Sequence, residues 1–195
     1  YRQGQGENIH EEYLKIALDR LVRREKVSVL YHVMLAGVEK DGETIKSVSV
    51  ASKAGTLKFS AHTFIDATGD ADLAAQAGCP FQLGREDNLC QPMTLCFRIG
   101  NVDIEKYKES RPLMQQLYKQ FQSEGKIKNP REDVLVFHTL VDGVLHFNTT
   151  RVVKLNPTDP LDVTNAEMTA REQMLEMYNF LHDNVPGFEH SQLLY

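Results

Sequence analysis

Three groups of residues in this sequence have types and spacings suited to chemistry. The first is Thr63–Gly78, TFIDATGDADLAAQAG. A short apolar run ends in Thr68-Gly69, and an alanine-rich run follows. Strand, small-residue turn and helix together let a ligand approach backbone N–H groups, because little side chain stands in the way. Ligands of open α/β sheets bind beyond the carboxyl ends of the strands, which is where such a turn sits. Asp70 and Asp72 put negative charge there, which suits a hydroxyl or the edge of a base better than a phosphate. The plainer reading is a strand–turn–helix joint capped by Asp70 and ended by Gly78. Asp66 reads as a turn-stabilising acceptor rather than a catalyst.

The second group is Arg98, in LCFRIG, and Arg151, in NTTRVV. Each is the polar exception in an apolar run. An arginine fork suits a substrate anion, while an ordinary ion pair or a solvent-facing strand residue has the same pattern. The third group is His138 and His146, which flank Asp142-Gly143 and are expected as cross-strand neighbours. Two histidines without a third ligand make a poor metal site, so no metal is assigned. Cys79, Cys90 and Cys96 are odd in number and lack C-x-x-C spacing. They read as free, buried thiols in a reducing compartment. No catalytic residue stands out.

The elements that must position these groups fall into two parts. Leu14, Ala17, Leu18, Leu21 and Val22 have the spacing of an amphipathic helix. VSVLYHV, Val27 to Val33, is apolar on both faces and reads as a buried strand. Asp41-Gly42 and Lys53-Ala54-Gly55 are hairpin turns that join three strands into an antiparallel meander, which feeds HTFIDATG. From Gln91 the pattern changes. MTLCFRIG is a strand, Asp103 caps a short helix and Pro112 starts another. DVLVFHTL and VLHFNTTRVV form a hairpin, and Thr164-x-x-Glu167 is a capping box for a long helix that Val185-Pro186-Gly187 stops. The expected fold class is α/β for residues 1–89 followed by α+β for 90–195.

TFIDATGDADLAAQAGCPF followed by QPMTLCFRIG, with the later VTNAEMTAREQ and NVPGFEHS, resembles the FAD-dependent oxidoreductase family of the two-dinucleotide-binding-domain flavoprotein class. The helix, strand, meander and IDATGD order fits as well. The resemblance covers nearly the whole chain. It implies that residues 1–89 are part of an FAD-binding, Rossmann-like domain with an inserted meander, and that 90–195 are part of a substrate domain. By the same likeness Ala67, Thr68, Gly69 and Asp70 lie against FAD, with Leu35 near the adenine side; Arg98 and Arg151, from their strand contexts, are the candidate contacts to a small-molecule substrate. The G-x-G-x-x-G turn of such proteins is not found: GQGENIH, from Gly4, follows no strand and reads as a loop. The expectation is a central piece of a longer flavoenzyme that by itself binds FAD weakly or not at all. A non-catalytic scaffold and an NAD(P)-binding protein are the alternatives. Three scattered cysteines do not make an iron–sulfur site.

Bulk properties narrow the rest. A net charge of −5 over 195 residues, without basic clusters, gives no support for nucleic-acid binding. No run approaches the roughly 20 apolar residues of a membrane span, and no signal peptide is seen, so a cytoplasmic location is expected.

Overall fold

The computed structural model describes residues 9–194, so most of GQGENIH lies outside the described residues. The chain forms two compact units, one spanning Glu12–Gln82 and the other holding the residues up to Glu11 together with Leu83 onward.

In the first unit, which holds all of α1 (Glu11–Arg24) but its first residue, the helix has the amphipathic spacing its sequence predicts, yet none of its residues is buried. Leu14, Leu18 and Leu21 stay open to solvent. The helix closes through left-handed Lys26, with Val27 N–H donating to the Val22 carbonyl at 2.9 Å. The meander is as expected: β1 (Met34–Asp41), β2 (Thr44–Ser52) and β3 (Gly55–Phe59) pair antiparallel in that order. Register breaks lie at Leu35/Gly37 and Glu39/Lys40. Short α2 (Asp72–Gln76) is tied to β1 by Lys40, whose Nζ donates to the Ala77 carbonyl at 2.6 Å.

The expected buried strand at Val27–Val33 does not form. No ladder joins it, Val27, Leu30 and Tyr31 are exposed, and His32 takes a left-handed φ of 57°. The apolar run before the glycine turn behaves likewise, with Ile65 85% exposed. A strand needs a neighbour to pair its backbone groups, and among the described residues neither run has one.

The second unit has a dense core. β4 (Phe97–Gly100), β5 (Val136–His138), β6 (Leu145–Phe147) and β7 (Gln192–Leu193) form one antiparallel sheet in the order β5-β6-β4-β7. Phe97, Ile99, Leu145 and Phe147 leave one sheet face fully buried. In the same cluster are Met114 and Tyr118 of α3 (Ile104–Ser123) and Met177 and Leu181 of α4 (Pro160–Asn184). Asp103 caps α3 as expected, accepting from Lys106 N–H at 3.1 Å.

Three expectations change here. Pro112 lies inside a single 20-residue helix instead of starting a second one. Tyr107, Ser110, Met114 and Tyr118 share one buried stripe across it, and that packing outweighs the lost backbone N–H. Helix α4 opens at Pro160 rather than at Thr164. Asp159 accepts from the Leu161 and Asp162 N–H groups, whereas Thr164 donates to the Pro160 carbonyl. The strands around Asp142-Gly143 are only three residues each. Past them, Met93 and Val152 meet in an isolated bridge.

Gly187 stops α4's exit chain against the start of α3. Its φ is 101°, and a Cβ there would stand 2.9 Å from both the Asp103 carbonyl oxygen and the Tyr107 nitrogen. Gly187→Ala should therefore lower the thermal midpoint by several degrees, on the order of 1–3 kcal/mol; an unchanged melting curve would contradict this packing.

Candidate functional site

Asp66 organises the glycine turn. Its Oδ1 accepts from Thr68 N–H at 3.1 Å and from Thr68 Oγ1 at 2.8 Å, and its Oδ2 accepts from Ala74 N–H at 2.9 Å. Thr68 Oγ1 in turn accepts from Asp72 N–H at 3.0 Å. The expected Asp70 cap is therefore replaced. The N-cap position is Ala71, left-handed at φ 60° and without a side-chain cap, because Asp66 and Thr68 already take the first free N–H groups. Gly78 ends the helix as expected, at φ 80°, with Cys79 N–H donating to the Ala74 carbonyl.

These hydrogen bonds hold the Asp66 carboxyl below the usual aspartate range, first through Ala74 N–H and then through Thr68. A lowered pKa means that the support is full above the ordinary aspartate value and is lost as pH falls through the lowered one. Asp66→Asn, which removes one acceptor, should speed amide exchange at Ala74 and Thr68 about tenfold while leaving the meander amides unchanged. Equal protection in both proteins would show that Asp66 does not organise the turn.

The turn leaves an open face. Gly69 has φ 92°, and a Cβ built there would meet nothing within 4 Å. Among the described residues, no protein group accepts from the Gly69 or Asp70 N–H. Ala67, Thr68, Gly69 and Asp70 are all exposed. Leu35 is half-buried at the start of β1, opposite Val50. No hydrogen bond joins it to the turn among the described residues. Exposed N–H groups beside a glycine with no side-chain bulk fit the approach of a nucleotide cofactor. Helix α2, at five residues, is too short to add a useful dipole.

The two arginines are placed apart. Arg151 is built into a joint. Its backbone N–H donates to Gln173 Oε1 at 2.7 Å, its carbonyl accepts from Gln173 Nε2, and its guanidinium holds Glu132 at 2.5 and 2.7 Å. Arg98, on β4, pairs with Glu11 and lines a cleft of about 280 Å³ with Phe137 and His146.

His138 and His146 are not opposite one another. His146 faces Phe137, while His138 faces Leu145, so the two side chains point to opposite sheet faces. The six-residue connection between the strands, tied by Thr139 Oγ1 to the Val144 carbonyl, sets that register. The cysteines are free as expected but not buried: Cys79 and Cys96 are exposed and Cys90 is intermediate. Sequence reasoning missed Glu11, whose role rests on an ion pair with a residue 87 positions away. It also missed the buried, unpartnered Nδ1 of His146, which single-residue patterns do not signal.

Residues 2–194 match the family described as FAD dependent oxidoreductase. The class is thus a flavin-dependent redox protein with FAD as its cofactor. The chain belongs to the FAD-dependent oxidoreductase family, since the match covers nearly all of it. No curated protein and no solved structure matches the chain. No helix among the described residues is long and apolar enough to cross a membrane.

Proposed function

We propose that this chain is the central piece of a longer FAD-dependent oxidoreductase acting on a small molecule. Residues 1–89 form part of a Rossmann-like FAD-binding domain, and 90–195 form part of the substrate domain. In this reading Ala67, Thr68, Gly69 and Asp70 lie against the cofactor, with Leu35 toward its adenine side. Bound FAD supplies the electron transfer, and the chain's residues bind and orient. The Gly69 and Asp70 N–H groups donate to the cofactor, and Asp66 keeps the turn in shape. Of the two arginines, Arg98 is the substrate anchor, because it lines a cleft beside His146, whereas Arg151 is built into a joint with Glu132 and Gln173.

One observation carries this reading. The apolar runs at Val27–Val33 and before Thr68 are both exposed and unpaired, while the turn beside the second presents free N–H groups. A parallel sheet completed by chain from outside these residues would pair both runs and cover the open face of α1. Such a split site predicts that the 195-residue chain, mixed with FAD and passed through gel filtration, emerges without flavin. Flavin that stays with the chain would overturn the split-site reading.

A further inference from the structure

The sheet of the second unit has two unlike faces. One is the buried face of Phe97, Ile99, Leu145 and Phe147. The other carries a row set by strand register: Phe137 opposite His146, and His146 opposite Arg98. The 280 Å³ cleft opens on this row, and Ile9, Glu11, His138, Thr139 and Leu140 complete its wall.

The polar groups in the cleft are unevenly satisfied. The Arg98 side chain is largely covered, at 23% exposure, and its guanidinium pairs with the carboxylate of Glu11, a side chain that is 45% exposed. A cation seat of this kind accepts a planar carboxylate, and its present occupant stands at the first residue of α1. Among the described residues, His146 Nδ1 is buried without a hydrogen-bond partner. Burial, then the Arg98 charge, keeps the imidazole pKa low, so the ring is neutral near pH 7. A neutral imidazole offers one donor and one acceptor nitrogen. A buried polar atom left unpaired is costly unless something else completes it. Exposed Phe137 adds an apolar wall next to the ring, at 6.1 Å between centroids.

We propose that this cleft binds a small hydroxycarboxylate. The ligand's carboxylate displaces that of Glu11 from Arg98, its hydroxyl hydrogen-bonds to the His146 ring, and its carbon skeleton lies against Phe137. Glu11 is then an internal stand-in that holds the arginine oriented until the ligand arrives. Calling this ligand the substrate rests on the oxidoreductase reading. The cleft itself lies within one unit and includes none of the residues assigned to FAD.

Chemical-shift titration of the 195-residue chain with L-lactate, propionate and 1-propanol tests the assignment. L-Lactate should bind about tenfold tighter than propionate, which lacks the hydroxyl, and 1-propanol, which lacks the carboxylate, should not bind. Glu11→Gln, a conservative change at a partly exposed position, should tighten lactate binding about tenfold by removing the competitor. His146→Phe should bind lactate and propionate equally. Weaker or unchanged lactate binding in Glu11→Gln, or equal affinity for lactate and propionate in the wild-type chain, would overturn the proposal. Flavin content of the intact protein is read separately by absorbance. Lactate binding by a flavin-free intact protein keeps the cleft and removes the oxidoreductase reading; a flavin-loaded protein that ignores lactate does the reverse.

Discussion

Gly69→Val should abolish flavin loading of the intact protein while leaving it folded. Gly69 sits at φ 92°, a backbone conformation that L side chains rarely adopt. A β-branched residue is among the poorest fits there and costs about 1–3 kcal/mol of local strain. Among the described residues its Cβ would meet nothing within 4 Å beyond the adjoining chain, so packing does not resist it there. The branched side chain instead fills the open face of the turn, in front of the Gly69 and Asp70 N–H groups. The turn is held from its other side by Asp66 and Thr68, which the substitution does not touch. The expected outcome is near-zero flavin per protein, with a melting curve within a few degrees of wild type. Gly69→Ala should fall between the two. Normal flavin occupancy in folded Gly69→Val protein would remove the turn from the cofactor site.

Phe147→Ala should give the largest loss of stability, about 3–5 kcal/mol. Phe147 is fully buried at the centre of the second unit's sheet. Its ring stacks on Phe97 with centroids 5.1 Å apart and meets Phe188 edge-on at 6.3 Å. Removing it leaves a cavity bounded by rigid aromatic and sheet atoms that collapse poorly. The effect should appear as a lower urea midpoint with an unchanged slope. A shift worth less than about 1 kcal/mol would mean that this core is looser than its packing indicates.

How much was legible in the sequence depended on the range of the interactions. The meander was readable because Asp41-Gly42 and Lys53-Ala54-Gly55 encode their turns locally. The Asp103 cap, the Gly78 helix end and the Val185-Pro186-Gly187 stop were readable for the same reason. Pro112 was misread because the stripe of Tyr107, Met114 and Tyr118, packed against distant β-strands and α4, decides that helix. Val27–Val33 has the composition of a central strand, but composition cannot supply a pairing partner. In the candidate site, the open glycine turn was visible as a motif. Asp66 bridging eight residues to Ala74 sharpened its role as a turn acceptor. The Arg98, Glu11 and His146 cluster spans 87 residues of sequence at its ion pair and depends on strand register. Arg98 was singled out beforehand as a charge inside an apolar run, and His146 as the expected neighbour of His138; their meeting with each other and with Glu11 was not.

The most direct measurement is the visible absorption spectrum of the purified intact protein, before and after added FAD. A flavin spectrum is the expected result, lost in Gly69→Val. An intact, folded protein that shows no flavin even after FAD is added would contradict the account and leave a non-catalytic scaffold.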